Sequence, residues 1–392
     1  VLFLAVSGVV SGQTQGVNLY VPNFNNAPPN LSEFSINTTT GALTSVAGQP
    51  STTTDSNPTE VVMTPNNKFL YLTNGNGEID AYSVGPTGFL TVIRAQPGYA
   101  VSAPIGLAVT NNYLYVASQS SNQISVFSIS PSGTLTGPLT CPACATGAGT
   151  APSNVVVDPT GSYVYVALNG TGQIGVGTVI QTGPNAGTFS TFTIAYTGPA
   201  NFHPQDIVLT PSGNALFTGD TNLLALPFGH LVYAFSVSGA TLGTPTTYDD
   251  GATSLPNGLA VDPTGTYLYV ANQGGGNVSE YKITGATLSL LGTAATGVQP
   301  TGATVEPTGN YLYVSNQSSG TVSSYAITQT GVNAGILTPV NTVPTGTSPY
   351  YLLAHLAPLP SATVPAASPW SLAALGILLA GLAGLLYRKA YC

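Results

Sequence analysis

A short pattern returns seven times along this chain, at intervals of about 44 to 52 residues, and it leaves few folds open. Its clearest copy is Pro256-Asn257-Gly258-Leu259-Ala260-Val261, a turn at Asp262-Pro263-Thr264-Gly265, then Tyr267-Leu268-Tyr269-Val270 and Val278-Ser279-Glu280-Tyr281-Lys282-Ile283. A strand-rich unit of that length cannot bury both of its faces alone. It can do so as one four-stranded blade between two neighbours in a ring. Pro58, Pro104, Pro152, Pro204, Pro256 and Pro300 open six complete units. Residues 18–23 and 31–36 supply two further strands with no first strand before them, and residues 349–355 read as a first strand with nothing after it. Joined, these fragments make a seventh blade and remove the open sheet edge an incomplete ring would leave. The expected fold is therefore all-β: a seven-bladed β-propeller over residues 13–358, closed by pairing of its N- and C-terminal strands.

The turns inside each repeat take most of the acidic residues out of contention for chemistry. In Asp158-Pro159-Thr160-Gly161 and Asp262-Pro263-Thr264-Gly265, proline presets φ at the second position and glycine closes the fourth. Glu306-Pro307-Thr308-Gly309 repeats the device, so Asp158, Asp262 and Glu306 read as turn residues. Asn74-Gly75-Asn76-Gly77-Glu78-Ile79-Asp80 has oxygen-rich spacing faintly like a calcium loop, but Asn-Gly is also a hairpin signal.

Charge is nearly absent. Only 5% of the 392 residues are charged, against about 25% in ordinary soluble chains. The formal net charge is −8, and residues 1–358 contain just three basic side chains, Lys68, Arg94 and Lys282. Neutralising phosphates needs lysine and arginine, which argues against nucleic acid and against anionic lipid as partners. The only closely spaced cysteines, Cys141 and Cys144, sit in Cys-Pro-Ala-Cys with no helix to activate a thiol, and read as a local disulfide.

Both ends look like export signals. Residues 1–12 form an apolar stretch ending in small residues, the remnant of a signal peptide or else a buried first strand. A Pro/Ala/Ser linker at 359–369 leads into the apolar run 370–387, about 27 Å long as a helix, and a basic tail at 388–392. Val364, Pro365, Ser368, Pro369 and Trp370, followed by that run and Arg388-Lys389, resemble the bacterial C-terminal sorting signals of the IPTL type. That resemblance implies an exosortase-like sorting protease as partner. A permanent membrane anchor through one C-terminal transmembrane helix is the alternative. Either way, the expected location is the cell envelope or surface.

Ligands of a propeller meet the loops entering its innermost strands. The positions just after the opening prolines bring Glu60, Asn154, Gln205, Asp206, Asn257 and Tyr351 to one channel mouth, expected to be polar, water-filled and opened by glycines. With His203 just before Pro204, the candidates for catalysis are His203, Asp206 and Glu60, and a divalent cation is a conceivable occupant. No other cofactor is indicated.

The repeats, with Tyr269-Val270-Ala271-Asn272 and Tyr313-Val314-Ser315-Asn316, resemble the YVTN surface propellers and the seven-bladed lactonases related to 6-phosphogluconolactonase. The lactonase resemblance implies a His-Pro-His segment and an aspartate followed by arginine, which polarise a lactone carbonyl and bind the substrate's anionic group. Here His203-Pro204-Gln205 keeps the first histidine, and Asp220 stands where the family aspartate is expected. No arginine follows it; residues 223–230 intervene. With that arginine set missing, the reading favoured from sequence is a non-enzymatic module for binding an envelope or extracellular ligand, or for surface architecture. The alternative is a lactonase-like hydrolase with its site at the channel mouth.

Overall fold

The computed structural model describes residues 16–24, 30–46, 57–221, 230–249, 251 and 254–358. Among these, seven antiparallel sheets follow one another, and in each the strand nearest the axis begins at or just beyond one of the repeat prolines. Numbered from the N-terminus, the innermost strands of blades 2 to 7 are Pro58–Met63, Pro104–Val109, Pro152–Val157, Pro204–Leu209, Pro256–Val261 and Pro300–Val305. Blade 1 is the composite expected from the two fragments. Leu353–Leu356 pairs antiparallel with Val17–Asn23, setting His355 opposite Asn18.

The apolar clusters lie between blades. Leu19, Phe34 and Ile36 of blade 1 pack with Tyr311, Tyr313 and Val322 of blade 7, and equivalent layers recur around the ring. A repeated hydrogen bond joins the blades as well. The hydroxyls of Tyr20, Tyr71, Tyr165, Tyr269 and Tyr313 donate to the carbonyls of Gly88, Gly133, Gly239, Gly335 and Gly41, each in the next blade. All five glycines have φ between 57° and 92°, which a side chain would strain. In blade 5 the equivalent residue is Phe217, which has no hydroxyl to donate.

Every innermost strand carries one extra residue just after its proline. Pro58 pairs with Asn74 but Val61 with Leu72; Pro204 pairs with Asp220 but Ile207 with Thr218; Pro256 pairs with Asn272 but Gly258 with Ala271. The closing strand shows the same shift, with Pro349 opposite Asn23 and Leu353 opposite Tyr20. It therefore starts four residues later than the sequence suggests. Such bulges break the ladder and re-aim side chains. In front of them, Asn57, Ala103, Ala151, Leu255, Gln299 and Ser348 take positive φ of 41° to 58°, a left-handed conformation costly for residues with a Cβ. Blade 5 departs from this: His203 precedes its proline, and the positive φ, 71°, falls on Asn201.

The turn aspartates do what their spacing predicts. Asp262 accepts the backbone N–H groups of Thr264, Thr266 and Tyr267, and Asp158 those of Thr160 and Tyr163. Glu306 accepts those of Thr308 and Asn310. Asn74 to Gly77 is a hairpin turn closed by the Gly77 N–H on the Asn74 carbonyl, as the Asn-Gly signal suggests. Cys141 and Cys144 are joined in a disulfide at a short 3-10 turn. No helix among the described residues is long and apolar enough to cross a membrane. The segments 1–12 and 359–392, with the sorting residues and the expected transmembrane helix, lie outside the described residues.

Candidate functional site

The bulges turn the residues after the prolines toward the axis, where side chains from four directions meet. Glu60 comes from blade 2, Asn154 from blade 4, Gln205 and Asp206 from blade 5, and Asn257 from blade 6. Tyr350 and Tyr351 arrive on the segment leading into blade 1, their rings edge to face at 5.1 Å.

Hydrogen bonds tie this cluster together. One oxygen of Asp206, Oδ1, accepts from Asn154 Nδ2 at 3.1 Å and from the Ile207 N–H at 2.8 Å; Oδ2 accepts from the Leu259 N–H of blade 6 at 2.8 Å. Glu60 Oε2 accepts from the Leu107 N–H of blade 3 at 3.1 Å. Tyr351 reaches Asn257 Oδ1 at 3.4 Å and also bonds the Gln205 side chain. Asn257 Nδ2 in turn reaches Gln273 Oε1 at 3.4 Å.

The mouth is not the open, solvated ring that the sequence suggests. Asp206 is 6% exposed and Glu60 and Tyr351 9%, so the polar groups face one another rather than water. Nor do the glycines open it. A Cβ on Gly106 would lie 2.5 Å from Asn154 Cα, and one on Gly258 2.6 Å from Gly302 Cα. Glycine is needed there because neighbouring innermost strands almost touch. Gln205 and Tyr350 are half-buried, less enclosed than Asp206, Glu60 and Tyr351.

Burial sets the protonation of the two carboxyls apart. Desolvation pushes the Asp206 carboxyl up to about 7, against the pull of the Leu259 and Ile207 N–H donors. Glu60 is driven well above the usual carboxylate range, by burial first and then by the Asp206 charge, with the Leu107 N–H opposing. Tyr351 is also pushed well above its ordinary value, by burial and by the charges of Asp206 and Glu60. Burial raises both, and the charge of Asp206 raises Glu60 further, so the two do not ionise together. This is how a site obtains an acid and a base from two like groups.

His203 is placed differently from the catalytic trio expected. It is half-buried at the rim, its Nδ1 is 3.4 Å from Asn169 Oδ1, and it makes no hydrogen bond to Glu60 or Asp206. Asp220 receives the His203 backbone N–H at 3.0 Å and so holds the start of blade 5's inner strand. Asn169, in a short turn after the second strand of blade 4, also donates to the Pro204 carbonyl and Gln205 Oε1. Nothing in its local sequence marks it, because its role depends on the neighbouring blade. Among the described residues no three His, Cys, Asp or Glu side chains converge as a metal cluster, so a cation at the mouth has two carboxyls to meet it.

Comparison with known proteins bears on what these groups do. The profile of the family described as "Lactonase, 7-bladed beta-propeller" matches residues 18–353. A 6-phosphogluconolactonase of Serratia proteamaculans is 25% identical over 238 residues, 59% of this chain and 68% of that protein. The periplasmic gluconolactonase of Pseudomonas aeruginosa superposes with a TM-score of 0.69 at 18% identity, covering 88% of this chain and all of that one. A Bacteroides fragilis protein provisionally named a 6-phosphogluconolactonase gives 0.70 at 20% identity, over 88% of this chain and 99% of its own. The two solved structures show the shared fold. The family match and the Serratia relative overturn the favoured reading of a non-enzymatic module. The missing arginine set does not remove the chain from the lactonase family.

Proposed function

This chain belongs to the seven-bladed β-propeller lactonase family, and we propose that it hydrolyses the ring ester of a lactone at the channel mouth, using Asp206 and Glu60. The reading is carried by one observation: two buried carboxyls from different blades share the mouth in unlike environments, one with three donors and the other with one. Asp206, ionised, takes a proton from water as the water oxygen bonds to the lactone carbonyl carbon. Glu60, protonated, donates toward the oxygen that gathers charge and delivers its proton to the ring oxygen as the C–O bond breaks. The product is a hydroxy acid, which ionises in solution and releases one proton per turnover. Tyr351, Asn257 and Gln205 orient the ring, and His203 with Asn169 shapes the rim.

Glu60→Gln keeps an acceptor for the Leu107 N–H and removes the proton to be donated; Asp206→Asn removes the base. Each is expected to lower kcat on a lactone by about 100-fold or more while KM changes little. Unchanged kcat in both folded variants would move the chemistry elsewhere.

A further inference from the structure

We propose that the site takes uncharged, hydroxylated lactones and rejects phosphorylated or carboxylated ones; this rests on the hydrolase reading above. Binding an anionic group in a buried site is served best by arginine or lysine, which stay charged at neutral pH, or by the N-terminus of a helix; histidine offers at most a part-time cation. Residues 1–358 hold three basic side chains, and the structure places all of them away from the mouth. Lys68 is exposed in the turn that follows the innermost strand of blade 2, at the opposite end of the channel. Lys282 is exposed on the third strand of blade 6, opposite Tyr267 and so toward that same far end. Arg94 belongs to the outermost strand of blade 2 and lies over the Tyr99 ring, 4.5 Å from its centre. The helical turns among the described residues, Pro142–Cys144 and Asn169–Thr171, span three residues each, too short to gather an anion.

What stands at the mouth has the opposite sign. The Asp206 carboxylate would face a substrate phosphate in a site shielded from water, where repulsion is weakly screened. The remaining groups suit hydroxyls. Asn257, Gln205 and Tyr351 offer donors and acceptors, and the 3.4 Å contacts from Tyr351 to Asn257 and from Asn257 to Gln273 are the long bonds that a ligand hydroxyl replaces at least cost. Gln205, half-buried at the rim, is where a cation would have to stand to serve an anionic substrate.

The experiment measures kcat/KM of the full chain on an uncharged sugar lactone and on its phosphorylated counterpart, at low and moderate salt. The expected result is turnover of the uncharged lactone with kcat/KM at least 100-fold above the phosphorylated one, a gap that salt changes little because the site is shielded. Gln205→Arg is expected to shift that ratio at least tenfold toward the phosphorylated substrate. Equal or better turnover of the phosphorylated lactone overturns this inference while leaving the hydrolase reading standing. Turnover of neither lactone by folded protein overturns the hydrolase reading itself.

Discussion

Glu33 shows at a single residue what burying a carboxyl without a partner does in this protein. It lies on the second strand of blade 1 opposite Tyr20, is 6% exposed, and neither oxygen has a hydrogen-bond partner among the described residues. Desolvation lifts its carboxyl to about 7. Because the folded value lies above the unfolded one of about 4.3, the unfolded chain ionises first as pH rises. The stability associated with protonated Glu33 is thus present in full below about pH 4 and is lost as pH rises through 7. Asp206, also lifted to about 7, acts in the same direction. Glu33→Gln is expected to raise stability at pH 8 by roughly 1–3 kcal/mol and to change it little at pH 4.5. Thermal or denaturant unfolding at the two pH values decides it; equal effects at both would show that folding leaves the Glu33 carboxyl unshifted. Residue identity made some of this legible. Counting positions after the prolines was enough to collect Glu60, Asn154, Asp206, Asn257 and Tyr351, because equivalent positions in a ring face one axis. It was not enough to see that they bond each other, since the one-residue bulge and the left-handed residues before the prolines are conformations that Ala103, Ala151 or Leu255 do not advertise.

Among the elements, the inter-blade tyrosine shows how strands carry more than their own ladders. The Tyr269 hydroxyl donates to the Gly335 carbonyl at 3.0 Å, burying a polar pair between blades 6 and 7. Tyr269→Phe leaves that carbonyl unpaired in an apolar layer and is expected to destabilise the protein by about 1–3 kcal/mol. The aspartate turn beside it should survive, because Asp262 is held by its own local N–H donors. An unfolding midpoint equal to wild type would mean that Gly335 finds water. The Tyr-x-Tyr strands and Asp-Pro-Thr-Gly turns were readable because their chemistry is local. The tyrosine's partner was not, since it lies some 60 to 70 residues onward in most blades and is chosen by how blades stack. The same limit explains His203. Its neighbour in sequence is Asp206, but its ring meets Asn169 from the preceding blade.

For the molecule as a whole, the repeat period dictates the architecture and the count of openings and orphan strands dictates the closure, so both are legible in the sequence. Activity was harder to read, because the family's arginines are missing and their absence weighed too heavily. A propeller can keep its reaction while changing the groups that recognise the substrate, since the two reside on different positions of the ring. The ring also explains how two carboxyls can take different parts in the proposed reaction. Each blade contributes one short innermost strand, so the proposed acid and base come from separate blades, Glu60 from blade 2 and Asp206 from blade 5, and each meets its own neighbours. The most direct test of that division of labour is the pH dependence of kcat/KM on an uncharged lactone, for wild type and Asp206→Asn, with spontaneous hydrolysis subtracted. In the wild type, turnover should rise as pH passes through about 7, where Asp206 ionises, and that limb should vanish in Asp206→Asn along with most of the rate. A wild-type profile with no such limb, or one that Asp206→Asn leaves in place, would contradict the assignment of Asp206 as the base.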